Sequence, residues 1–595
     1  MFSQYGLAVA CDGLASVTRE TTPGQPPIFL LWDGRLDNRN EIVSELDGRV
    51  SPASGDPEIV AAAYACWQTN SFHKLIGDWS LILWNPRARS LILAKDPIGL
   101  RPLFYCRTET SLRWSSSLGL LVAEARGALE LDFEYLAGWL AFFPEAHLTP
   151  YRSIRAVPPS SFVIFEQGRT TVAKYWEFDP NKQIRYANTF DYEEHFREVL
   201  SNAVRRRLRS EKPLLAELSG GMDSSSVVSL ADAMLKHEQG LAPRLDTLSY
   251  YDEAEPHWNE LPYLAKVEQR RGRTGHRMQV DCADDLSAIL GHTTPTAAPS
   301  ECGKDSTRNR YVERLIATGG YGGILSGTGG DEFTGGVPTA IPELANLLTE
   351  FRLVAFAGRL KTWALSQRKT WFQLLWESFS AFLPNRLLRT SPNQRPPCWL
   401  VPRFARDHAS ALDGYDVRLK FFGPRPSFQE NLSALQGLRR YVACSIISPR
   451  DGCERCYPYL DRDLLEFLFA VPREELIEPG RRRSLMRRAL AGIVPNEILT
   501  RKRKAYVSRG PRVAITKRWA ELLPLTVNMA TESLAIVSAD RFRSVLEDLR
   551  VGKEAPLVPV LRTLVLERWL RNRTSEATNH ITPQPAASVQ RESRA

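Results

Sequence analysis

One segment of the sequence decides the fold: Leu218-Ser219-Gly220-Gly221-Met222-Asp223-Ser224-Ser225, between an apolar run at 213–218 and a run with helical spacing at 225–235. The pattern predicts a buried strand, a glycine loop and a helix. Two glycines let the backbone approach an anion, and a helix N-terminus directs N–H groups and partial positive charge towards it. Asp223 offers a carboxylate to Mg²⁺, and phosphate oxygens can complete the coordination shell of that ion. The segment predicts a nucleotide-phosphate site; a glycine turn with a serine helix cap is the alternative.

A second glycine loop also follows a predicted strand. It reads Leu325-Ser326-Gly327-Thr328-Gly329-Gly330-Asp331-Glu332 and follows the strand-like run at 322–327. Loops at the carboxyl ends of parallel strands converge on one crevice, so Asp331 is expected to meet Asp223 across a shared metal ion. An acidic helix cap is the alternative. Neither loop is a Walker A loop, and Gly303-Lys304 lacks the upstream glycine of one.

Strand-like and helix-like runs alternate around these loops. This alternation predicts a parallel sheet covered by helices on both faces. Beyond about residue 340 helical periods dominate the sequence. The strand-like runs lie at 213–218, 246–251, 276–280 and 322–327, and the helix-like runs at 225–235, 261–271 and 308–319.

The first 180 residues have a different pattern, with short apolar runs between turn signals that are typical of a β-rich domain. Residues 56–68 are spaced for a helix, with Asp56 as the predicted N-cap and Pro57 in the first turn. The first domain is therefore predicted to be mixed α and β. The polar segment near Asp179 is the predicted linker.

Composition limits the class of protein. The 595 residues carry a net charge of +9 and are 43% hydrophobic, which is near the average of globular proteins. The nine cysteines are scattered and predict no disulfide framework, the start of the chain lacks a secretory signal pattern, and no stretch has the length of a membrane span. We therefore expect a cytoplasmic protein without a membrane partner.

The two loops together, S-G-G-x-D-S and S-G-x-G-G-D-E, resemble those of the asparagine-synthetase family of ATP-pyrophosphatase amidotransferases. The resemblance extends from residue 30 to about residue 510. Five further segments carry it, namely Asp33-Gly34-Arg35-Leu36-Asp37-Asn38, Gly55-Asp56-Pro57-Glu58, Asp96-Pro97-Ile98-Gly99-Leu100-Arg101-Pro102-Leu103-Phe104-Tyr105, Cys453-Glu454-Arg455-Cys456-Tyr457-Pro458-Tyr459-Leu460-Asp461 and Arg501-Lys502-Arg503-Lys504-Ala505-Tyr506.

The resemblance implies the architecture and the chemistry. Residues 1–180 would form an αββα glutaminase-like domain of the N-terminal-nucleophile type, and residues 190–572 a doubly wound ATP-pyrophosphatase domain with a helical C-terminal part. Independently of the resemblance, the polar composition of residues 573–595 predicts a disordered tail. In this family a carboxylate attacks the α-phosphate of ATP, pyrophosphate leaves, and an amine then displaces AMP.

The same resemblance assigns roles to residues. Lys504 would offset charge at the α-phosphate, and Glu454 would orient or deprotonate the attacking amine. An ion pair between Glu454 and Arg455 is the structural alternative for that glutamate. Mg²⁺ would bind Asp223 and Asp331. ATP or pyrophosphate would contact Leu218, Ser219, Gly220, Gly221, Asp223, Ser224, Ser326 and Gly327.

The N-terminal half departs from the family pattern. The family's glutaminase uses a cysteine at the second codon, whose free α-amine acts as its base. Here residue 2 is Phe2, and Cys11 could replace that cysteine only after cleavage. The first Asn of the family's N-G-E is Asp33, and the family's R-G-P-D segment is missing between Cys11 and Trp32. Glutamine hydrolysis is predicted to be lost, with a degenerate site at Phe2, Asp33 and Asp56.

A synthetase without an ammonia source must take its nitrogen from another amine. The segment 478–490 and D-G-R-L-D-N-R-N-E resemble lasso-peptide macrolactam synthetases, whereas β-lactam synthetases carry Tyr where this chain has Thr328. The resemblance implies a ligase that adenylates an Asp or Glu side chain of a precursor peptide and closes it onto the N-terminal amine, with that peptide and a leader peptidase as partners.

Other functions stay open. Asparagine synthesis from ammonia or glutamine is the first alternative, a β-lactam synthetase-like cyclase the second, and an inactive scaffold the third. Nine basic residues between Arg481 and Lys504 fall where the family binds pyrophosphate and substrate, or form a solvated helix face; without interleaved aromatics they do not indicate nucleic acid. Cys453 and Cys456 form a C-x-x-C without the second pair that zinc requires.

Overall fold

The computed structural model describes residues 8–9, 15–19, 28–109, 111–125, 129–253, 260–281, 284–302, 306–383, 396–413, 418–445, 453–501 and 510–579. Two regions follow one another along the chain. The N-terminal region contains two sheets, and the C-terminal region contains one parallel sheet followed by helices. The connection between the regions, residues 175–188, has no helix or strand.

The N-terminal region has ten described strands and four described helices. The strands are β1 Ala8–Val9, β2 Ala15–Arg19, β3 Ile28–Leu36, β4 Gly77–Asn85, β5 Ser90–Lys95, β6 Phe104–Arg107, β7 Leu112–Ser115, β8 Ile154–Ala156, β9 Ser161–Glu166 and β10 Arg169–Lys174. The helices are α1 Arg39–Glu45, α2 Asp56–Trp67, α3 Leu118–Ala123 and α4 Phe133–Ala141.

The two N-terminal sheets stack as the inner layers of four. One sheet has the order β10-β9-β5-β4-β3-β2 and the other β1-β7-β6-β8. Ile82 and Leu93 of the first sheet share a buried cluster with Trp114 of the second. Helix α2 packs on the outer face of the six-stranded sheet, and α4 shares a cluster with residues of the four-stranded sheet. This arrangement confirms the predicted αββα domain.

The C-terminal sheet is parallel throughout, with the order β13-β12-β11-β14-β15. Its strands are β11 Leu214–Glu217, β12 Leu245–Tyr251, β13 His276–Gln279, β14 Gly323–Leu325 and β15 Glu454–Cys456. Leu214 and Ala216 pack into the cluster of α5 and α6, whereas Leu215 packs against α9 on the opposite face. Both faces are thus covered, as the alternating pattern predicted.

Helices make up the rest of the described C-terminal region. They are α5 Thr189–Arg207, α6 Met222–Leu235, α7 Leu261–Arg271, α8 Asp284–Gly291, α9 Thr307–Gly319, α10 Gly330–Phe333, α11 Ile341–Thr349, α12 Leu353–Gln367, α13 Trp371–Ser380, α14 Pro402–Asp407, α15 Ala409–Leu412, α16 Pro426–Ser445, α17 Arg462–Ala470, α18 Arg473–Leu476, α19 Ser484–Ala489, α20 Asn496–Leu499, α21 Gly510–Lys517, α22 Trp519–Leu522, α23 Ala530–Ser533, α24 Ala539–Arg550 and α25 Leu557–Asn579. In the part of the chain that the structure describes, no helix combines the length and the apolar character needed to cross a bilayer.

Buried ion pairs join the two regions. The Arg207 side chain is 1% exposed and contacts Asp37 at 3.0 Å and Asp78 at 2.9 Å, both in the N-terminal region. The same guanidinium contacts Asp461 of the C-terminal region at 2.5 Å. A buried arginine that lost these carboxylates would be strongly destabilising, so the cluster fixes how the two regions meet.

One prediction about local structure is wrong. Asp56 is the first residue of α2 rather than its N-cap, which is Gly55. The Asp56 carboxylate instead accepts a hydrogen bond from the backbone N–H of Leu36 at 2.8 Å and contacts Arg39 at 3.4 Å. This carboxylate is therefore used to hold the end of β3 against the helix.

Candidate active site

The first glycine loop joins β11 to α6. Gly220 has a φ of +70°, and a Cβ there would lie 2.9 Å from the Tyr263 Cβ, so the position requires glycine. Gly221 is the N-cap of the fourteen-residue helix α6 and has extended backbone. The hydroxyls of Ser219 and Ser224 lie 3.1 Å apart across the loop. The loop thus presents helix N–H groups and two hydroxyls together, as a phosphate site requires.

The second glycine loop, from β14 to α10, lies directly against the first. Strands β11 and β14 are neighbours in the sheet, so their loops leave the same edge. A Cβ on Gly327 would lie 3.0 Å from the Ser224 backbone nitrogen, and one on Gly330 would lie 2.5 Å from Cγ of Asp223. Ser326 contacts Thr328 through their hydroxyls at 3.1 Å. The structure therefore brings the two loops into one crevice, as the sequence predicted.

The two predicted metal ligands share one cation. Nη2 of Arg483 donates to Oδ2 of Asp223 at 2.5 Å and also to Oδ1 of Asp331. Arg483 is 4% exposed. Burial lowers the pKa of its guanidinium, but the two carboxylates outweigh this effect and leave the pKa above its ordinary value. The three groups carry a net negative charge at the mouth of the glycine loops.

This donor set fits Mg²⁺ with a nucleotide. Mg²⁺ is held in phosphate-transfer sites by one or two carboxylates and by phosphate oxygens, and Asp223 and Asp331 already face one point. The side chain of Glu332 also lines the crevice. The glycines let the two loops pack closely, because a Cβ at Gly327 or Gly330 would collide with Ser224 or Asp223.

Basic residues surround the crevice. Arg501 contacts both oxygens of Glu260, at 2.6 and 3.2 Å, and donates to the Gly220 carbonyl at 3.1 Å, so it supports the first loop. Arg482 and Arg487 line the crevice as well. Burial, followed by the nearby arginines at 481–483, lowers the pKa of Arg487 from its ordinary value. This concentration of positive charge favours an anion such as pyrophosphate.

A cavity of about 710 Å³ opens above the two loops. Its volume is within the range of small-molecule sites. One part of its lining, the apolar wall, includes Phe142 and Phe143 of the N-terminal region with Leu438 and Tyr441 of α16. The rings of Phe143 and Tyr441 pack edge to face, with centroids 5.5 Å apart. A ligand that fills the cavity would contact both the phosphate-binding loops and aromatic rings.

Glu454 lies on β15, but it is not one of the residues that line the cavity. Its Oε1 atom accepts from Arg101 at 2.5 Å and from Arg35 at 3.4 Å, both in the N-terminal region. Burial raises the pKa of Glu454, but the two arginines outweigh it and hold the pKa below its ordinary value. Arg455 contacts Glu217 at 3.3 Å. Glu454 and Arg455 thus have other partners, so the alternative of a Glu454–Arg455 ion pair is wrong.

The remaining predicted residues lie elsewhere. Asp33 is 3.7 Å from Arg101, and burial raises its pKa although Arg101 opposes the shift. Asp56 is engaged at the end of β3. Phe2 and Lys504 fall outside the described residues, so their predicted roles stay predictions.

Sequence reasoning missed three features of the site. It treated Arg483 as one member of a basic run, and it did not identify the apolar wall or the arginines on Glu454. A run of two aromatics directly after a helix, Phe142 and Phe143 after α4, is the signal that could have pointed to the wall. No local signal distinguishes Arg483, because an arginine at the start of a buried helix and one at the start of a solvated helix have the same sequence pattern.

Comparisons with known proteins agree with this geometry. A family model described as asparagine synthase matches residues 195–571, and one described as a glutamine amidotransferase domain matches residues 15–176. Asparagine synthetase (glutamine-hydrolyzing) 3 of Bacillus subtilis (strain 168) is 24% identical over 493 residues, which cover 80% of this chain and 75% of that protein.

Two further relatives have related names. Asparagine synthetase (glutamine-hydrolyzing) 1 of Bacillus subtilis (strain 168) is 22% identical and covers 80% of this chain and 75% of its own length. A putative asparagine synthetase (glutamine-hydrolyzing) of Mycobacterium tuberculosis (strain ATCC 25618 / H37Rv) is 27% identical and covers 52% of this chain and 47% of its own. Since the first family model spans more than half of the residues, the chain belongs to the asparagine synthase family of ATP-dependent amide-forming ligases.

Proposed function

We propose that this ligase activates the side-chain carboxylate of an Asp or Glu in a precursor peptide and joins it to the N-terminal amine of the same peptide. In the first step a carboxylate oxygen bonds to the α-phosphorus of ATP and pyrophosphate leaves. In the second step the amine nitrogen bonds to the acyl carbon, AMP leaves with the bonding electron pair, and the amine loses a proton. The products are a macrolactam, AMP and pyrophosphate.

The observation that carries the proposal is the contact of N-terminal motif residues with Glu454. Arg35 and Arg101 belong to the segments that resemble the family's glutaminase motifs, and both bind the Glu454 carboxylate. Asp33, which replaces the family's Asn, lies beside Arg101. Arg35 and Arg101 thus contact strand β15 of the synthetase sheet. A nitrogen source other than glutamine is the simplest consequence.

The cavity wall supports a peptide as the substrate. Free aspartate has no apolar group that could contact Phe142, Phe143 and Tyr441. A peptide that places its acidic side chain at the glycine loops could bury neighbouring apolar side chains against those rings. The wall thus favours a substrate that extends well beyond the carboxylate that reacts.

The chain's own residues would mainly bind the phosphate groups and offset their negative charge. The N–H groups at the start of α6 and the hydroxyls of Ser219 and Ser224 would bind phosphate oxygens. Asp223 and Asp331 would hold Mg²⁺, which when bound neutralises phosphate charge. Arg483 would then exchange one carboxylate contact for the departing pyrophosphate, whose charge it would offset.

The amine needs little help to react. A free α-amine has a pKa of about 8, so roughly a tenth of it is neutral near pH 7. A strong general base in the cavity is therefore unnecessary. Glu454, held as an anion by Arg101 and Arg35, would act by keeping the sheet and the N-terminal region in register.

Asparagine synthesis is the second candidate. The match of residues 15–176 to the glutamine amidotransferase domain and the names of the relatives favour it. Ammonia or glutamine would then supply the nitrogen, and free aspartate would supply the carboxylate.

One experiment separates the two candidates. The purified protein is incubated with ATP, Mg²⁺ and a series of synthetic peptides that start with Gly and carry one Asp or Glu at successive positions. We expect AMP release with a peptide product lighter by one water, and neither from the Asp223→Asn variant. Release of AMP only with aspartate, together with asparagine formation from ammonia or glutamine, would establish the alternative and reject the macrolactam proposal.

A further inference from the structure

Helices α12 and α13 carry an unusual concentration of exposed apolar side chains. Among the described residues, the exposed large hydrophobic side chains of this short stretch include Val354 at 92%, Leu365 at 72%, Trp371 and Phe372 at 61% and Trp376 at 59%. Soluble surfaces rarely expose several large aromatics together, and such patches mark interaction sites. Phe351, Leu353 and Phe379 are exposed in the same stretch.

The aromatic residues of α13 share one face. Trp371, Phe372, Trp376 and Phe379 are spaced at i, i+1, i+5 and i+8, which places them within about 140° around the helix. Leu374 and Ser378 are buried, and Leu375 packs partly against the core. The apolar face of α13 thus points outwards, although a helix in a globular protein ordinarily directs that face to the core.

A second group of aromatics continues the surface at the far end of α13. Phe382 and Phe421 pack with ring centroids 5.3 Å apart, and Phe421 also contacts Phe351 at 6.2 Å and Phe422 at 5.2 Å. Phe422 is 90% exposed. The aromatic surface therefore extends from the start of α13 past its end to the loop before α16.

This surface carries more basic than acidic side chains. Residues 351–383 include five Lys or Arg and a single acidic residue, Glu377, although Arg352 pairs with Glu350 and Arg359 with Glu343. The Glu377 carboxylate is occupied by Lys369, at 2.9 Å. Lys361 is exposed and follows Val354 by seven residues on α12, which places the cation on the same outward face. Arg368 is exposed between the two helices.

We infer that the outward face of α12 and α13 binds the surface of an anionic lipid bilayer. Trp and Phe rings enter the boundary between head groups and acyl chains, and flanking Lys and Arg side chains contact anionic head groups. A lysine within the apolar face suits a bilayer, because its stem can lie along the lipid while its ammonium reaches the head groups. The core of a protein interface, in contrast, is depleted in lysine.

The sequence predicts no membrane partner on the ground that no stretch spans a bilayer. Attachment parallel to the surface needs no spanning segment, so the absence of one among the described helices does not oppose it. The inference does not depend on the proposed function, because none of these side chains lines the active-site cavity.

Co-sedimentation with vesicles tests the inference on the full chain. Neutral phosphatidylcholine vesicles are compared with vesicles that also contain phosphatidylglycerol. We expect binding to the anionic vesicles, weaker binding at high salt, and a shift of tryptophan fluorescence to the blue. The double variant Trp371→Ser/Trp376→Ser should lower the partition constant at least tenfold, and Lys361→Glu/Arg368→Glu should do the same.

Phe190→Ser is the matched control for aromatic exposure, since Phe190 is 60% exposed on α5. This variant should bind as the unchanged chain does, and all variants should keep its melting temperature. The inference is overturned if the unchanged chain does not bind anionic vesicles, or if the double Trp variant binds them as strongly as the unchanged chain does. It is also overturned if light scattering shows a dimer that the double Trp variant loses, because the face would then serve self-association.

Discussion

Arg101 and Glu454 form an ion pair at 2.5 Å although 353 residues separate them in the chain. Arg101 belongs to the N-terminal region that resembles a glutaminase, and Glu454 belongs to the parallel sheet of the ligase. The guanidinium of Arg101, a motif residue of the N-terminal region, is therefore held by a carboxylate of the C-terminal region. The N-terminal region therefore contacts strand β15 of the sheet through this ion pair.

The Arg101–Glu454 pair is expected to contribute to stability in a pH-dependent way. In Arg101→Gln the Glu454 carboxylate keeps only the longer contact with Arg35, so the free energy of unfolding near pH 7 should fall by about 2 kcal/mol. The folded pKa of Glu454 is depressed, so the pair stabilises the fold above the unfolded pKa of about 4.3 and loses this effect as pH falls through the folded pKa. Urea unfolding at several pH values measures the difference.

Arg152→Gln is the control for that measurement, because Arg152 contacts Glu130 with both side chains largely exposed. Exposed pairs contribute little, so this variant should unfold almost as the unchanged chain does. A stability loss in Arg101→Gln that stays constant from neutral to acidic pH would contradict the role of the Glu454 charge.

We expect the Arg483 guanidinium to supply the positive charge between Asp223 and Asp331 that a bound Mg²⁺ would otherwise supply. In Arg483→Met, Asp223 and Asp331 would lose their shared cation, and the free energy of unfolding near pH 7 should fall by about 3 kcal/mol. Added Mg²⁺ should raise the melting temperature of this variant more than that of the unchanged chain, because the ion supplies the missing charge. Calorimetry with Mg²⁺ or with EDTA measures both effects.

The control is Arg403→Met, since the Arg403 side chain is 89% exposed and its contact with Asp407 is long. Equal stabilisation of Arg483→Met and of the unchanged chain by Mg²⁺ would refute the idea that the ion binds where the guanidinium lies.

The features that sequence predicted well are those with local signals. Glycines at 220 and 221, apolar runs of strand length and helical spacing at 261–271 identify the parallel sheet, and the topology of such a sheet then places Asp223 near Asp331. The structure agrees because each signal depends on neighbouring residues alone.

The features that sequence missed depend on distant partners. The pairing of Glu454 with Arg35 and Arg101 joins residues hundreds of positions apart, and no spacing rule encodes it. Arg483 was one member of a basic run that was expected either to bind pyrophosphate and substrate or to form a solvated helix face. Its burial depends on Asp223 and Asp331, which lie far away in the sequence. Asp56 was misplaced by one position, since both it and Gly55 are acceptable caps.

The close approach of the two glycine loops gives a steric prediction. A Cβ in Gly330→Ala would lie 2.5 Å from Asp223 Cγ, so the loops must separate. We expect ATP–pyrophosphate exchange to fall by at least tenfold, with a lower melting temperature. The matched control is Gly358→Ala, because a Cβ at Gly358 meets nothing within 4 Å in the helix α12.

Alanine is the better helix former, so Gly358→Ala should be neutral or more stable by about 0.5–1 kcal/mol and fully active. Normal exchange by Gly330→Ala would mean that the contact of the two loops is not needed for the reaction with ATP.

The apolar wall predicts a selective effect on the peptide substrate. Phe142 is 43% exposed at the cavity, so Phe142→Ala should change the melting temperature little. If a peptide side chain packs on the ring, its loss should raise KM for the peptide about tenfold, which corresponds to about 1.4 kcal/mol of lost apolar contact. KM for ATP should not change if ATP is held by the two glycine loops alone, because Phe142 belongs to neither loop. Steady-state AMP release at varied peptide or ATP concentration gives both constants, and Phe190→Ala, with an exposed ring away from the cavity, serves as the control.

An equal rise in KM for ATP would place the nucleotide against this wall. An unchanged KM for the peptide would mean that the apolar wall takes no part in substrate binding.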